Sequence, residues 1–476
     1  MSKKNKLIPL YVDLDGTLFP GDLLWEGIIL TLKQNLLNIF PIISKCLQGP
    51  VKLKKWVSER SIHNLVLLPF RKEVVDFCIK EKKKGKKIIL ATGAHEKIAQ
   101  KVADTLGFFD GILATENINL KGIAKLDAIK RDAKGPFSYV GDSISDMPIF
   151  QNSAEVIAVG KSAKWNPKCF RSPVKMRIVD TERSLANNLI QSVRPHHFIK
   201  NLLIFVPLLA AHITNSIAAW MSSAILFLSF CFASAAVYLI NDIFDFENDR
   251  AHKWKRRRPI SAARLPIPTA LTFSGLFFVS GVSISLLNSK SGAFTVIFYF
   301  IVSFFYSFFI KKQILADVFT LCLLYVIRVM AGGVATGVKI SPWLIAFMAF
   351  FFLSLALGKR AAEIKANINM KKNEAPGRGW VLGDLNFLVV SGIASAFTAV
   401  LVIGLYISGN TAMALYRNPD FLWAIIPLVL WWSCRVWLKA CRGELHEDPV
   451  VFSISDRCSW LILVLAALAL FSAGPI

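Results

Sequence analysis

Two sets of carboxylates in this chain are spaced for phosphate chemistry. The first opens with Asp13 and Asp15 in the run LIPLYVDLDGTLF (7–19), an apolar stretch that ends in Asp13-Leu14-Asp15-Gly16-Thr17. Two carboxylates at a strand end can serve phosphoryl transfer, one as nucleophile and one as general acid and base. Gly16 permits the tight turn. Two later runs end in the same way: KIILATG (87–93) closes on the hydroxyl of Thr92, and FSYVGDS (137–143) closes on Asp142, with Asp146 soon after. The second set lies in NDIFDFENDR (241–250), where Asp242, Asp245 and Asp249 follow at intervals of three and four. On a helix this spacing stacks them on one face. Carboxylates this crowded repel one another without a cation, and hard oxygen donors suit Mg2+, which also bridges to phosphate oxygens. A basic run follows, with Lys255, Arg256 and Arg258 before Pro259, placed for phosphate contact beside a metal-type motif.

Positioning these groups requires two kinds of scaffold. The three runs of the first set read as strands of successive βα units, whose ends converge at the carboxyl edge of a parallel sheet. Residues 21–67 read as amphipathic helix, with apolar positions at Leu24, Ile28, Leu32, Leu36 and Ile39. The second set needs a bilayer. The chain has 476 residues, a net charge of +24 and only 18% charged residues against 54% hydrophobic, with 36 Phe and 12 Trp. That balance excludes a disordered chain or a soluble nucleic-acid binder. Beyond residue 190 the sequence alternates long apolar runs with short basic loops. Stretches of about 20 apolar residues predict spanning helices at 197–213, 217–242, 267–288, 292–310, 315–338, 342–360, 385–408, 420–438 and 457–473. With the N-terminal part inside, the internal loops 250–264, 311–312, 359–378 and 435–457 hold 19 Lys and Arg, and the external ones only Lys290, Lys339 and Arg417. This bias places the N-terminal part in the cytoplasm and the C-terminus outside. The opening residues read as no secretory signal, being interrupted by carboxylates. Asp242, Asp245 and Arg328 fall at or within predicted spans, where charge is costly and usually functional. The eight cysteines form no CxxC or zinc-type spacing.

The motifs of residues 10–160 resemble those of haloacid-dehalogenase-type phosphatases. The resemblance implies a Rossmann-like α/β domain over 1–185 with a small helical cap at about 21–67. It implies that Asp13 is the nucleophile that becomes an aspartyl-phosphate, that Asp15 protonates the leaving oxygen and then activates water, and that Thr92 hydrogen-bonds the phosphoryl group. It further implies Mg2+ held by Asp13, Asp142 and the Asp15 carbonyl, with Asp146 supporting them. A lysine should neutralise the phosphoryl charge, and either Lys125 or Lys121 in LKGIAK (120–125) can do so.

After a linker at 186–196, residues 197–476 resemble the intramembrane prenyltransferase superfamily typified by UbiA. The resemblance rests on Arg194-Pro195-His196-His197, on Asn241 with the three aspartates that follow it, and on the Lys255-Arg256-x-Arg258-Pro259 segment. It implies an all-α bundle of about nine transmembrane helices using Mg2+ on Asp242, Asp245 and Asp249 to bind a diphosphate. The second half departs from the aromatic prenyltransferases: their second aspartate motif is replaced by Lys359, Arg360 and Glu363. Those residues, with Tyr306, Lys311, Asp317 and Arg328, resemble the branch that moves phosphoribose from phosphoribosyl diphosphate to a polyprenyl phosphate, the decaprenylphosphoryl-ribose 5-phosphate synthase branch. The combination implies a bifunctional enzyme of a bacterial-type inner membrane. One half makes a polyprenylphosphoryl ribose 5-phosphate and the phosphatase half removes the 5-phosphate. The alternative is a prenyltransferase acting on an aromatic acceptor with an unrelated phosphatase attached. Partners under the first reading are the two phosphate substrates and the bilayer, with no nucleic acid.

Overall fold

A computed structural model describes residues 7–61, 63–170, 172–178, 184–368, 379–445, 452–453 and 455–474. Parts of the basic loops 359–378 and 435–457 lie outside these residues. The chain forms two compact units, Met1–Ser192 with Leu239–Thr272, and Val193–Tyr238 with Phe273–Ile476. The segment Leu239–Thr272, which sequence alone groups with the membrane helices, thus belongs to the first unit.

The first unit is built on a six-stranded parallel sheet in the order β3-β2-β1-β4-β5-β6. The strands are β1 (Leu10–Val12), β2 (Ile88–His95), β3 (Gly111–Thr115), β4 (Ser138–Gly141), β5 (Glu155–Val159) and β6 (Val174–Ile178). Alternation along each strand sorts side chains between two faces. Leu10, Val12, Ile88, Leu90, Val140, Ile157 and Val159 enter one core. Tyr11, Ile89, Ala91, Tyr139, Val156 and Ala158 enter the other. Both faces are covered, so the strands read as continuous apolar runs. Val12 pairs with Leu90 on one side and Val140 on the other, which brings the residues after these three positions to one edge. That edge flanks β1, where the strand order reverses and ligands bind in such sheets.

Three helices separate β1 from β2: α1 (Leu23–Gln34), α2 (Ile39–Leu47) and α3 (Pro50–Arg60). Asp22 caps α1 by accepting from the Leu24 and Trp25 amides, and Pro50 sits in the first turn of α3, where no amide is needed. Ile28, Ile42, Leu53 and Val57 give these helices a core of their own. Helices α4 (Lys72–Lys83), α5 (Glu96–Leu106), α6 (Ile123–Ala133) and α7 (Leu185–Val193) complete the N-terminal part.

Among the described residues, seven helices are long and apolar enough to cross a membrane. They are α8 (Ile217–Arg250), α9 (Ile267–Asn288), α10 (Lys290–Phe308), α11 (Ala316–Thr336), α12 (Pro342–Ile368), α13 (Leu385–Ile407) and α14 (Ile425–Arg442). The first expected span, 197–213, is instead a 3-10 segment, Pro195–Phe205, running into the short helix Val206–Ala210. Pro207, inside this run, has no amide to carry the hydrogen-bond ladder on from the 3-10 segment. The last, α15 (Arg457–Ala473), is an apolar helix of 17 residues. Leu287, Phe294 and Phe471 are among the large apolar side chains left exposed on these helices, as lipid-facing surfaces require. The chain is a multi-pass membrane protein.

Candidate active sites

The first site assembles at the β1 edge. Asp13 follows Val12, and its amide donates to Val140 O at 3.0 Å, which ties the end of β1 to β4. Its carboxylate meets Lys125 Nζ at 2.7 Å, and the same ammonium lies 3.6 Å from Asp146. Lys125 is 3% exposed and Asp13 8%. Lys121 lines the same cavity from the surface. The structure thereby separates two lysines that the sequence does not, because only Lys125 lies within α6. Tyr139 donates to Asp146 at 2.8 Å, and Ser143 donates to its other oxygen at 2.9 Å. Thr17 donates to Asp142 at 3.1 Å. Gly16 has φ +79, and a side chain there would collide with the Asp142 carboxylate, so the residue type serves both the turn and the close approach. Thr92 is fully buried, and its hydroxyl accepts from the Ala94 amide at 3.0 Å.

Electrostatics follow from this crowding. Burial pushes the Asp13 carboxyl up to about 7, with Asp146 and Asp142 adding to the rise and Lys125 opposing it. Burial, and then Asp146, lift Asp142 to about 6. Burial also holds Asp15 well above the usual carboxylate range, assisted by Asp22. For Lys125 burial disfavours the charge, but Asp13 and Asp146 outweigh it and keep the ammonium above its usual range. Asp13, Asp142 and Asp146 each offer an oxygen within 4.8 Å of one another. Three hard donors this close, two of them reluctant to ionise together, fit a divalent cation. Asp15 is not in this group. Its carboxylate accepts from the Leu23 amide at 2.9 Å, so it faces α1 rather than the other three.

A cavity of about 750 Å³ opens over this cluster. Lys54 of α3 reaches into it, donating to Gly93 O at 2.5 Å and Asn119 Oδ1 at 2.7 Å. Burial depresses its pKa. Arg71 donates to the carbonyls of Gly16 and Thr17 and fixes the turn that carries Asp15. Neither residue has a sequence signal, since a lone cation in a helical stretch looks like solvated surface. Glu26 of α1 forms a bidentate pair with Arg250, at 2.9 and 2.5 Å. The Arg250 guanidinium also lies over the rings of Phe246 and Phe19. Both partners of this ion pair are buried, and burial raises Glu26 even against Arg250.

The acidic motif occupies the last turns of α8. Asp242 and Asp249 are buried and Asp245 half-buried. Arg258 returns to them, with Nη1 at 3.3 Å from Asp242 and 2.6 Å from Asp249. One guanidinium thus gathers the two outer carboxylates, which face the same way. The three do not form a compact ligand set: among the described residues only the group around Asp13 does so. Asn241 precedes them half-buried, and Lys255 and Arg256 are exposed in a 3-10 turn.

In the second unit, Asp317 and Arg360 are partners of each other. Arg360 Nε lies 2.6 Å from Asp317, with exposures of 1% and 0%. Tyr306 and Trp380 donate to Asp317 at 2.8 and 3.0 Å, and Arg360 also pairs with Glu363. This closed network occupies charges that the sequence offers for substrate phosphates. Lys311 and Lys359 are half-buried. Arg328 donates to Asn201 Oδ1 at 2.8 Å and to Tyr299 OH at 2.9 Å. Its ring neighbours are Tyr299 and Tyr325, and Lys200 lies over Tyr325 as well. The partners of Arg328 among the described residues are neutral, so its charge is balanced by no carboxylate.

The sequence pattern of the UbiA prenyltransferase family matches residues 202–455. The chain belongs to the UbiA prenyltransferase family. The pattern of haloacid dehalogenase-like hydrolases matches residues 47–151, so this UbiA-family protein carries a haloacid-dehalogenase-like domain ahead of its membrane helices. A Sinorhizobium fredii protein named "Uncharacterized protein y4nM" is 32% identical over 473 residues, covering 98% of this chain and 92% of that protein. The decaprenyl-phosphate phosphoribosyltransferase of Mycobacterium tuberculosis is 32% identical over 298 residues, 60% of this chain and 96% of the relative. Nodulation protein NoeC of Azorhizobium caulinodans is 27% identical over 288 residues, 59% of this chain and 91% of that protein.

Proposed function

We propose that this UbiA-family protein transfers 5-phosphoribose from phosphoribosyl diphosphate to a polyprenyl phosphate and that its N-terminal domain then hydrolyses the 5-phosphate. The observation that carries the reading is the Asp13–Lys125–Asp142–Asp146 cluster fused to a membrane half whose relative, matched over 96% of its length, is a decaprenyl-phosphate phosphoribosyltransferase. A prenylated aromatic product offers no phosphomonoester to such a cluster. Tethering also raises the local concentration of the second activity.

In the transfer, a phosphate oxygen of the lipid attacks the anomeric carbon of the donor as the bond to diphosphate breaks, with inversion for in-line displacement. Asp242, Asp245 and Asp249 would hold Mg2+, which would neutralise charge on the departing diphosphate, and Lys255 and Arg256 contact its oxygens. Arg258, beside Asp242 and Asp249, is a further candidate contact. In the second unit, Lys311, Lys359 and Arg328 are the candidate contacts for substrate phosphates, and Asp317, Arg360, Tyr306 and Glu363 hold one another in place beside them in sequence.

In the hydrolysis, the Asp13 carboxylate attacks phosphorus and Asp15 protonates the departing ribose oxygen. Asp15 suits this role because burial keeps its proton. The same carboxylate, now ionised, takes a proton from the water that cleaves the aspartyl-phosphate. Thr92 and Lys125 hold the phosphoryl oxygens. Mg2+ on Asp13, Asp142 and Asp146, with the Asp15 carbonyl, would neutralise the charge of the phosphoryl group. The basic loops support a cytoplasmic N-terminal domain at an inner membrane, with the C-terminus outside.

The test supplies the purified protein with both substrates and Mg2+. A lipid-linked pentose lacking the 5-phosphate is expected, and Asp13→Asn should leave the phosphorylated lipid as end product. Absence of any lipid-linked pentose across polyprenyl chain lengths would overturn the transfer. Free phosphate released equally by Asp13→Asn would overturn the nucleophile.

A further inference from the structure

The cavity over Asp13 is walled on one side by residues of the segment that follows the acidic helix. Ile260, Ala263, Arg264, Leu265 and Ile267 line it together with the catalytic carboxylates, all within the first unit. The wall is fixed in place. Ala263 takes a left-handed backbone, φ 57, and packs into the same core as Leu14, Phe19 and Leu23. Asn188 of α7 donates to Arg264 O at 3.5 Å. The Glu26–Arg250 pair and the bond from Arg250 Nε to Ser261 O, 2.8 Å, anchor its other end.

Arg264 is the charged member of this wall. Its Nη2 donates to Arg257 O, and its Nε is buried with no hydrogen-bond partner among the described residues. No carboxylate pairs with it there. A guanidinium that lines a cavity with no carboxylate offsetting its charge is a ready site for a second anion, through its outer nitrogens. Lys161 and Lys164 line the same cavity, so the positive charge extends beyond what one phosphoryl group on Asp13 requires.

We propose that Arg264 is a specificity-determining residue of the phosphatase, binding a second phosphate on the leaving group. The substrate class is then a phosphomonoester whose alcohol carries another phosphate, either in diester linkage to a lipid or free. The inference rests on the phosphatase reading above and narrows it. The wall continues directly into α9 at Ile267, a helix long and apolar enough to span a membrane, which suits the lipid-linked form.

The experiment measures kcat and KM of the full-length, detergent-solubilised protein on three substrates: polyprenylphosphoryl ribose 5-phosphate, ribose 1,5-bisphosphate and ribose 5-phosphate. Arg264→Ala should lower the preference for the two-phosphate substrates over ribose 5-phosphate at least about tenfold, about 1.4 kcal/mol, through KM. Arg264→Lys should restore part of it. If only the lipid-linked substrate is affected, the second phosphate is read as part of the lipid; if the bisphosphate is affected too, the phosphate alone is read. An equal loss on all three substrates, or none on any, would overturn the proposal. Failure of the unaltered protein to hydrolyse all three would instead overturn the phosphatase reading beneath it.

Discussion

Replacing Asp13 with Asn should stabilise the metal-free protein at alkaline pH while removing its phosphatase nucleophile. In the folded chain Asp13 is lifted from 3.8 to about 7. A carboxyl whose folded pKa is raised contributes stability that is fully present below its unfolded pKa, near 4, and is lost as pH rises through about 7. A shift of this size corresponds to about 4 kcal/mol. Lys125 is already included in that balance, and in the variant it keeps Asp146 at 3.6 Å. Asn keeps the shape without the charge. The assay is thermal unfolding of the detergent-solubilised protein in EDTA from pH 5 to pH 9. At pH 5, about one unit above the unfolded value, the variant should already gain about 1.6 kcal/mol, less than half of its gain at pH 9. At pH 9 Asp13→Asn should unfold roughly 8 °C higher or more. Mg2+ should then raise the unaltered protein more than the variant. Parallel pH profiles, or a variant less stable than the parent at pH 9, would refute the reasoning.

Three other outcomes are expected. Glu26→Gln leaves Arg250 buried without its counter-charge and should cost about 3–5 kcal/mol in chemical denaturation, whereas Glu26→Leu combined with Arg250→Met should cost less. Asp317→Asn removes the carboxylate that holds Arg360, Tyr306 and Trp380 together; the melting temperature of the solubilised protein should fall by several degrees. Asp242→Asn and Asp249→Asn should each slow phosphoribosyl transfer by more than the roughly 10–100-fold typical of groups that only orient metal ligands, read as lipid-linked pentose formed per minute, and should raise the Mg2+ concentration needed.

Much of the scaffold is legible because its signals are local. Apolar runs ending in Asp13, Thr92 and Asp142 mark parallel strands buried on both faces, and the lengths of the apolar stretches mark most of the spans. The exception is at the start of the membrane part, where Pro207 interrupts the hydrogen-bond ladder of a stretch that hydropathy alone reads as one regular helix. Hydropathy counts side chains, and the ladder depends on backbone donors.

By itself the sequence determined which residue types can do chemistry: the strand-end carboxylates, the three aspartates on one face of α8 and the basic run behind them. Helix and strand periodicity fix those groupings without reference to any distant partner. Tertiary structure alone decided who meets whom. It chose Lys125 over Lys121 by burying one beside Asp13. It joined Asp317 and Arg360, two candidate substrate-binding residues, into one buried ion pair. It brought Lys54, Arg71 and Arg264 to a cavity whose other groups lie far away in sequence. Contacts between residues hundreds of positions apart, such as Glu26 and Arg250, depend on how whole elements pack, and no spacing along the chain encodes them.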